Sequence, residues 1–380
     1  MVKDRIRLGD VATYINGYAF KPADRGDTGL PIIRIQDLTG NAYDLGFYNG
    51  EYPERIEINN GDVLISWSAS LGVYVWNRGK ALLNQHIFKV EFDKVEIDKS
   101  YFVYAVRYKL DEMGLKTHGA TMKHIVKKDF DATQIPYPDL DRQAEIASNL
   151  EKVSNVIEAR KKELQLLDDL INARFVEMFG DPKENPLRWD KLTLSNIIIN
   201  ANNGMARRGN DEDGEIVVRL VELQDGYIDY SNPNRIKLNE GEKHRYLLKD
   251  KDFLFARVNG NPDNVGRCAV FHNIGENIYH NDHIIRVHFD EERLNGIFAS
   301  TLLNSNYGKR QLKGQLKTSA GQYTVSQDGI GAIMTILPPI ELQNQFADFV
   351  HQIDKSKVAV QKALDEAQLL FDSLMQEYFG

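Results

Sequence analysis

The sequence predicts an α+β chain in which two pseudo-symmetric, β-rich globular domains are joined by two long helices that pair antiparallel as a coiled coil. Three observations predict it: an internal duplication, a heptad stripe closing each copy, and short strand-like runs between turn residues. Ile33-Arg34-Ile35-Gln36-Asp37-Leu38 is echoed by Val218-Arg219-Leu220-Val221-Glu222-Leu223. Asn84-Gln85-His86-Ile87 returns as Asn281-Asp282-His283-Ile284, and Ile135-Pro136 with Leu140 and Gln143 as Leu337-Pro338 with Leu342 and Gln345. The offset grows from 185 to 202 residues, so the second copy carries loop insertions, which folded repeats tolerate. The expected boundaries are 1–138 and 181–338 for the globular domains, with the helices at 139–180 and 339–380.

The helices rest on periodicity. Ile146, Leu150, Val153, Ile157, Leu164, Leu167 and Ile171 keep to alternating steps of four and three, interrupted by Arg160 and continued through Arg174. Phe346, Val350, Ile353, Val360, Leu364, Ala367, Phe371 and Leu374 do the same, with Lys357 as the polar exception. A 3.5-residue repeat held for about five heptads indicates a coiled coil. Asp139, Asp141 and Glu341 favour the positive helix starts. Gly180-Asp181-Pro182 is a stop signal. A helix of about 36 residues spans roughly 54 Å, so the pair could act as a ruler for sites about one duplex turn, some 34 Å, apart.

The globular halves read as strands where branched and aromatic residues cluster between Gly, Asn and Asp. Leu30–Ile35, Asp62–Ser66, Val73–Trp76 and Ile87–Phe92 answer to Ile216–Leu220, Phe253–Ala256, Cys268–Phe271 and Ile284–Phe289. Short helices are expected at Ser100–Met113 and Leu294–Asn304. Such a mixture gives an α+β domain in each half.

At 380 residues and 42% hydrophobic, the chain has ample core for two or three domains. A single cysteine, Cys268, excludes an internal disulfide and suits a reducing cytoplasm. No signal peptide is expected, and no apolar run is long enough for a membrane helix. The net charge of −8 is unevenly distributed. Residues 139–180 hold nine acids against six bases and residues 341–380 seven against three, so nearly all the acidity lies in the helices. Met113–Lys128 and Arg293–Gln327 contain no acid at all, and both lie just ahead of a long helix. A solvated basic face would explain either one; their recurrence in register points to phosphate contact.

Catalytic signatures are missing. There is no phosphate-binding loop for ATP, no Asn/Asp-Pro-Pro-aromatic motif for adenine methylation and no nucleophile elbow. Pro138-Asp139 with Glu145 resembles a nuclease pattern only by ignoring the heptads around it. His280 and His283 have ligand spacing, but His283 has a twin in His86 that lacks such a neighbour, so a framework role is favoured and no metal site is expected.

Taken together, the repeated β-rich domain, the Pro-containing turn, the Leu-x-x-Gln element and the long helix resemble the specificity subunit of type I restriction–modification systems. The supporting motifs are Gly61-Asp62-Val63-Leu64-Ile65-Ser66, Gly119-Ala120-Thr121 with Ile125, and Ile135-Pro136-Tyr137-Pro138. Their counterparts are Asp252-Phe253-Leu254, Gly321-Gln322-Tyr323 and Leu337-Pro338-Pro339. The resemblance implies two target-recognition domains, each reading one half of a split, asymmetric sequence in double-stranded DNA. It also implies docking of two modification subunits that use S-adenosylmethionine, and of restriction subunits that use ATP and Mg. The chain itself would then be non-catalytic and without cofactor.

Base reading needs paired amide or guanidinium donors, and phosphate contact needs charge. The candidates are Lys21, Arg34, Trp67, Lys116, His118 and Lys123 in the first half, with Arg207, Arg208, Arg219, Arg257, Lys317, Gln322 and Tyr323 in the second. Arg34 and Arg219 are twins, so a supporting role competes with DNA contact. Arg257 stands where Trp67 stands, which suits a position that sets specificity. The alternative function is a coiled-coil adaptor whose globular ends bind proteins.

Overall fold

A computed structural model describes residues 5–40, 44–116, 124–319 and 321–380, with the side chains of residues 115 and 116 left aside. It is a mixed α/β structure that divides into two units, one of Met1–Lys161 with Lys362–Gly380, the other of Lys162–Gln361. No described helix is long and apolar enough to cross a membrane.

The first unit is built on a four-stranded antiparallel sheet in the order Thr13–Asn16, Ile87–Glu91, Val63–Ser66, Gly72–Val75. The second unit repeats it with Ile198–Asn203, Ile284–Phe289, Phe253–Ala256 and Cys268–Val270. The runs expected to be strands form strands, except that Leu30–Ile35 stops at Ile33 and Ile35 opens a short helix, Ile35–Thr39; the inner strands Val63–Ser66 and Phe253–Ala256 are buried at every residue. Each unit also has a smaller sheet that contains a parallel pair, Leu30–Ile33 with Ala81–Leu83 and Glu215–Val218 with Ile278–His280. Only the first unit flanks that pair with a strand at Glu57–Ile58; in the second a single bridge, Leu247 to Tyr279, takes its place. A two-stranded closure, Arg5–Arg7 with Gln134–Pro136 or Asp190–Thr193 with Met334–Leu337, leads into each long helix.

Those helices run Leu140–Phe179 and Ile340–Phe379, 40 residues each. The offset is therefore 200, which corrects the register read from the sequence: the twin of Gln143 is Gln343, not Gln345, and the twin of Leu140 is Ile340, not Leu342. The hydrogen bonds prove the correspondence. Gln143 accepts from the Asp98 amide and donates to the Pro138 carbonyl, at 2.9 and 2.8 Å. Gln343 does the same with Asn295 and Pro338, at 2.9 and 2.8 Å, and adds a bond to the Arg293 carbonyl. Both side chains are fully buried, so each satisfies main-chain groups that water cannot reach.

Each helix contributes to both units. In the first, Ile146 and Leu150 share a core with Met375 and Phe379, and with the half-buried Phe371 and Leu374. In the second, Ile171, Phe175 and Phe179 share one with Phe346, Val350 and Ile353. Val153, Leu164, Leu167 and Leu364 are half-buried, while Ile157 and Val360 are buried. The polar exceptions have partners. Lys357 forms an ion pair with Asp168, and Arg174 lies over the Phe349 ring. Phe379 packs against Tyr101 at 5.3 Å, and its twin Phe179 against Phe298 at 4.8 Å, so each helix end is pinned at the same place.

Candidate nucleic-acid interface

In each unit, three loop segments meet at the end of the large sheet. The first follows the edge strand. Gly17 and Gly204 let the chain pass so close to the loop at Asn84 or Asn281 that a Cβ would lie 2.0 or 2.3 Å from a carbonyl oxygen. Main-chain bonds then lock the second segment to the first. The Gln85 amide donates to the Tyr18 carbonyl, and the Asp282 amide to the Met205 carbonyl, both at 2.9 Å. The third segment follows the central strand. The Trp67 amide donates to the His86 carbonyl at 3.3 Å, and the Arg257 amide to that of His283 at 2.7 Å. Trp67 and Arg257 are thus structural twins. A fourth element joins them, since Ile125 and Val325 donate to the carbonyls of Trp67 and Arg257 at 2.9 and 3.0 Å.

This frame makes Asn16-Gly17-Tyr18-Ala19-Phe20-Lys21 the counterpart of Asn203-Gly204-Met205-Ala206-Arg207-Arg208. That repeat, with its shared Asn-Gly-x-Ala, is visible in the sequence, and it brings in Gln85 and Asp282, which are not among the candidates above.

In the second unit the side chains are highly organised. Arg207 pairs with Glu242 at 3.0 Å. Arg208 donates to the Asp282 carboxylate at 2.7 Å and lies 3.3 Å from His283 Nε2. Arg257 donates to the Asp282 main-chain carbonyl at 3.1 Å. Lys317 and Gln322 are exposed on the hairpin Lys317–Ser319/Gln322–Thr324, and Tyr323 packs partly on the core. The strand Val258–Asn259, directly after Arg257, pairs with this hairpin, so Arg257, Lys317, Gln322 and Tyr323 come together.

The first unit puts different chemistry on the same frame. Trp67 is half-buried, stacked on Phe88 at 5.6 Å and flanked edge-on by His86 and His124. Its indole nitrogen and His86 Nδ1 are buried without a hydrogen-bond partner among the described residues. His86 takes a left-handed backbone, φ 71°, which is unusual for a residue with a side chain. Tyr18, Phe20 and Tyr48 form an edge-to-face row at 5.0 and 5.2 Å. Lys21 and Gln85 are exposed. Lys116 ends the helix Lys99–Lys116. His118 and Lys123, with the Gly119-Ala120-Thr121 motif, lie outside the described residues.

Two candidates are tied to acidic neighbours three residues on. Arg34 is buried, donating to Asp37 at 2.9 and 3.2 Å and also to the Asp44 carbonyl, so little of its guanidinium is left for DNA. The bond to Asp37 raises its pKa above the usual arginine value. Arg219 repeats the arrangement with Glu222 and Asn234, but its side chain is 39% exposed.

The histidine pair does not converge on one ligand. His280 is buried with Nδ1 3.2 Å from the Tyr246 carbonyl, and burial lowers its pKa to about 4. Among the described residues no three His, Cys, Asp or Glu side chains are placed to hold a metal.

A model of the type I restriction modification DNA specificity domain matches residues 3–168. The StySPI specificity subunit of Salmonella potsdam is 26% identical, with 97% of this chain and 86% of the relative covered. The EcoKI specificity subunit of Escherichia coli K12 is 23% identical, again covering 97% and 86%. The first part of the chain thus resembles a specificity domain, and the chain as a whole is similar to these specificity subunits over most of their length. A solved S subunit from M. genitalium shares 14% identity and a TM-score of 0.55, over 99% of this chain and 96% of that one. At that identity the likeness speaks for the specificity-subunit fold alone.

Proposed function

We propose that this chain is the DNA-recognition subunit of a type I restriction–modification complex. Each unit reads one half of a split, asymmetric duplex sequence, and the chain performs no chemistry itself. The observation that carries this reading is the pair of loop clusters held by the same main-chain bonds but bearing different side chains. A duplicated scaffold with divergent surfaces suits two half-sites of different sequence better than it suits one.

In this reading the domains are 1–138 and 181–338, and the two heptad helices pair antiparallel along their length and set the spacer between half-sites. The same helices dock two modification subunits. Val156, Leu166, Leu170, Val358 and Leu369 are exposed apolar residues on them, between 45% and 72% accessible, and their acidic surroundings would repel DNA. S-adenosylmethionine, ATP and Mg belong to the modification and restriction subunits, and the complex works in the cytoplasm.

The test is a segment exchange. Residues 181–337 are replaced by the corresponding segment of a relative, the chain is expressed with its modification subunits, and methylated adenines are mapped by single-molecule sequencing. One half of the target should change while the other half and the spacer stay. An unaltered target would favour the adaptor reading.

A further inference from the structure

We propose that Asp282 clamps Arg208 and Arg257 into a fixed donor array that reads guanine in the half-site of the second unit. The first unit, with Gln85 and Trp67 at the matching positions, reads its half without this array. The inference rests on the proposed function and specifies what one of its surfaces recognises.

The geometry separates this array from an ordinary phosphate patch. Asp282 accepts twice, with its carboxylate from Arg208 and with its carbonyl from Arg257. Arg207 is likewise neutralised by Glu242. Two of the three arginines are thus matched by a carboxylate, which weakens attraction to a phosphate backbone. What the carboxylates supply is orientation. Guanine presents two acceptors, O6 and N7, on its major-groove edge, and a planar guanidinium held side-on matches them with paired donors. Arg257 has one side-chain bond, to Asp282, among its described contacts, which leaves the rest of its fork for a ligand. Arg208 is 54% exposed despite its ion pair.

Gln85 occupies the position of Asp282, so the first unit has no carboxylate to orient an arginine and no arginine at Lys21 or Trp67 to be oriented. An exposed amide pairs with the N6 and N7 edge of adenine, and an aromatic face meets a thymine methyl.

The experiment uses the whole methyltransferase complex, with the half-site of the second unit assigned by the segment exchange. Arg257→Lys keeps the charge but removes the planar fork; Asp282→Asn keeps the size but removes the carboxylate that holds Arg208. Gln85→Ala reports on the other unit. Target sequences are mapped by methylation, and binding is measured on duplexes carrying guanine or 7-deazaguanine, which lacks the N7 acceptor. Wild type should lose about tenfold in affinity on 7-deazaguanine at one position of the second half-site. Arg257→Lys should lose about tenfold to hundredfold in discrimination there, with no further loss on the analogue. Asp282→Asn, which frees Arg208 but keeps the carbonyl that holds Arg257, should relax the base that Arg208 contacts, and Gln85→Ala only the opposite half. A two-part target with no guanine in that half, or with guanine preference intact in Arg257→Lys, overturns the inference and leaves the proposed function standing. A wild-type complex without a two-part target overturns the function itself.

Discussion

After the central strand of the large sheet, the first unit places Trp67 and the second Arg257. Both residues donate their amide to a histidine carbonyl and accept from the chain ahead of the long helix. The side chains then part ways: an indole stacked on Phe88 in one case, a guanidinium tied to Asp282 in the other. The lesson is a division of labour within each loop. Main-chain bonds and one glycine set where the loop goes, so the side chains can be exchanged without a new fold. Leu83 and His280 make the same point inside the core. Both end the parallel strand and accept from the loop that follows the edge strand, at the Tyr18 and Met205 amides, yet only His280 can be protonated.

The largest test of the parallel is at the helix ends. Phe179→Ala and Phe379→Ala should each cost about 3–5 kcal/mol in denaturant unfolding. Phe179 should cost more, since Phe175, Phe298 and Phe346 all surround it. Losses below about 1 kcal/mol in both would break the equivalence of the two ends.

Arg34 and Arg219 sharpen the contrast. Arg34→Ala strands the buried Asp37 carboxylate and should cost about 3–4 kcal/mol. Arg219→Ala, at a more exposed guanidinium, should cost about 1–2 kcal/mol. Equal costs in thermal unfolding would show that exposure does not separate the twins.

Acid should distinguish the units next. His280 has a folded pKa of about 4 against an ordinary 6.5, so the unfolded chain binds its proton more readily. Stability from this group is therefore full above pH 6.5 and is lost as the pH falls toward 4, by up to about 3 kcal/mol. His280→Leu, which copies the first unit, should remove that slope between pH 6.5 and 4 in urea titrations. A slope unchanged in the variant would assign the acid sensitivity elsewhere.

The smallest effect is expected at Lys357 and Asp168, an ion pair whose side chains are 26% and 55% exposed. A double-mutant cycle should give less than about 1 kcal/mol, falling further in salt.

The long helices were legible because a heptad stripe repeats a local rule many times over. The large sheets were legible because each strand is a compact apolar run. The register of the second repeat was misread where Gln343 and Gln345 both follow Pro338-Pro339; only the buried bonds of Gln343 distinguish them. The hairpin Lys317–Ser319/Gln322–Thr324 is short and polar, and carries no periodicity. The link from Arg208 to Asp282 spans 74 residues, and no spacing rule anticipates it. The ion pair of Arg34 with Asp37, three residues away, is within reach of a local spacing rule.

The close approach at Gly17 and Gly204 has a practical corollary. Even an alanine there would push this loop off its neighbour, whatever else was altered. A combinatorial library built to retarget this protein should therefore hold both positions constant and randomise Tyr18–Lys21, Met205–Arg208 and the two residues that face them, Gln85 and Asp282.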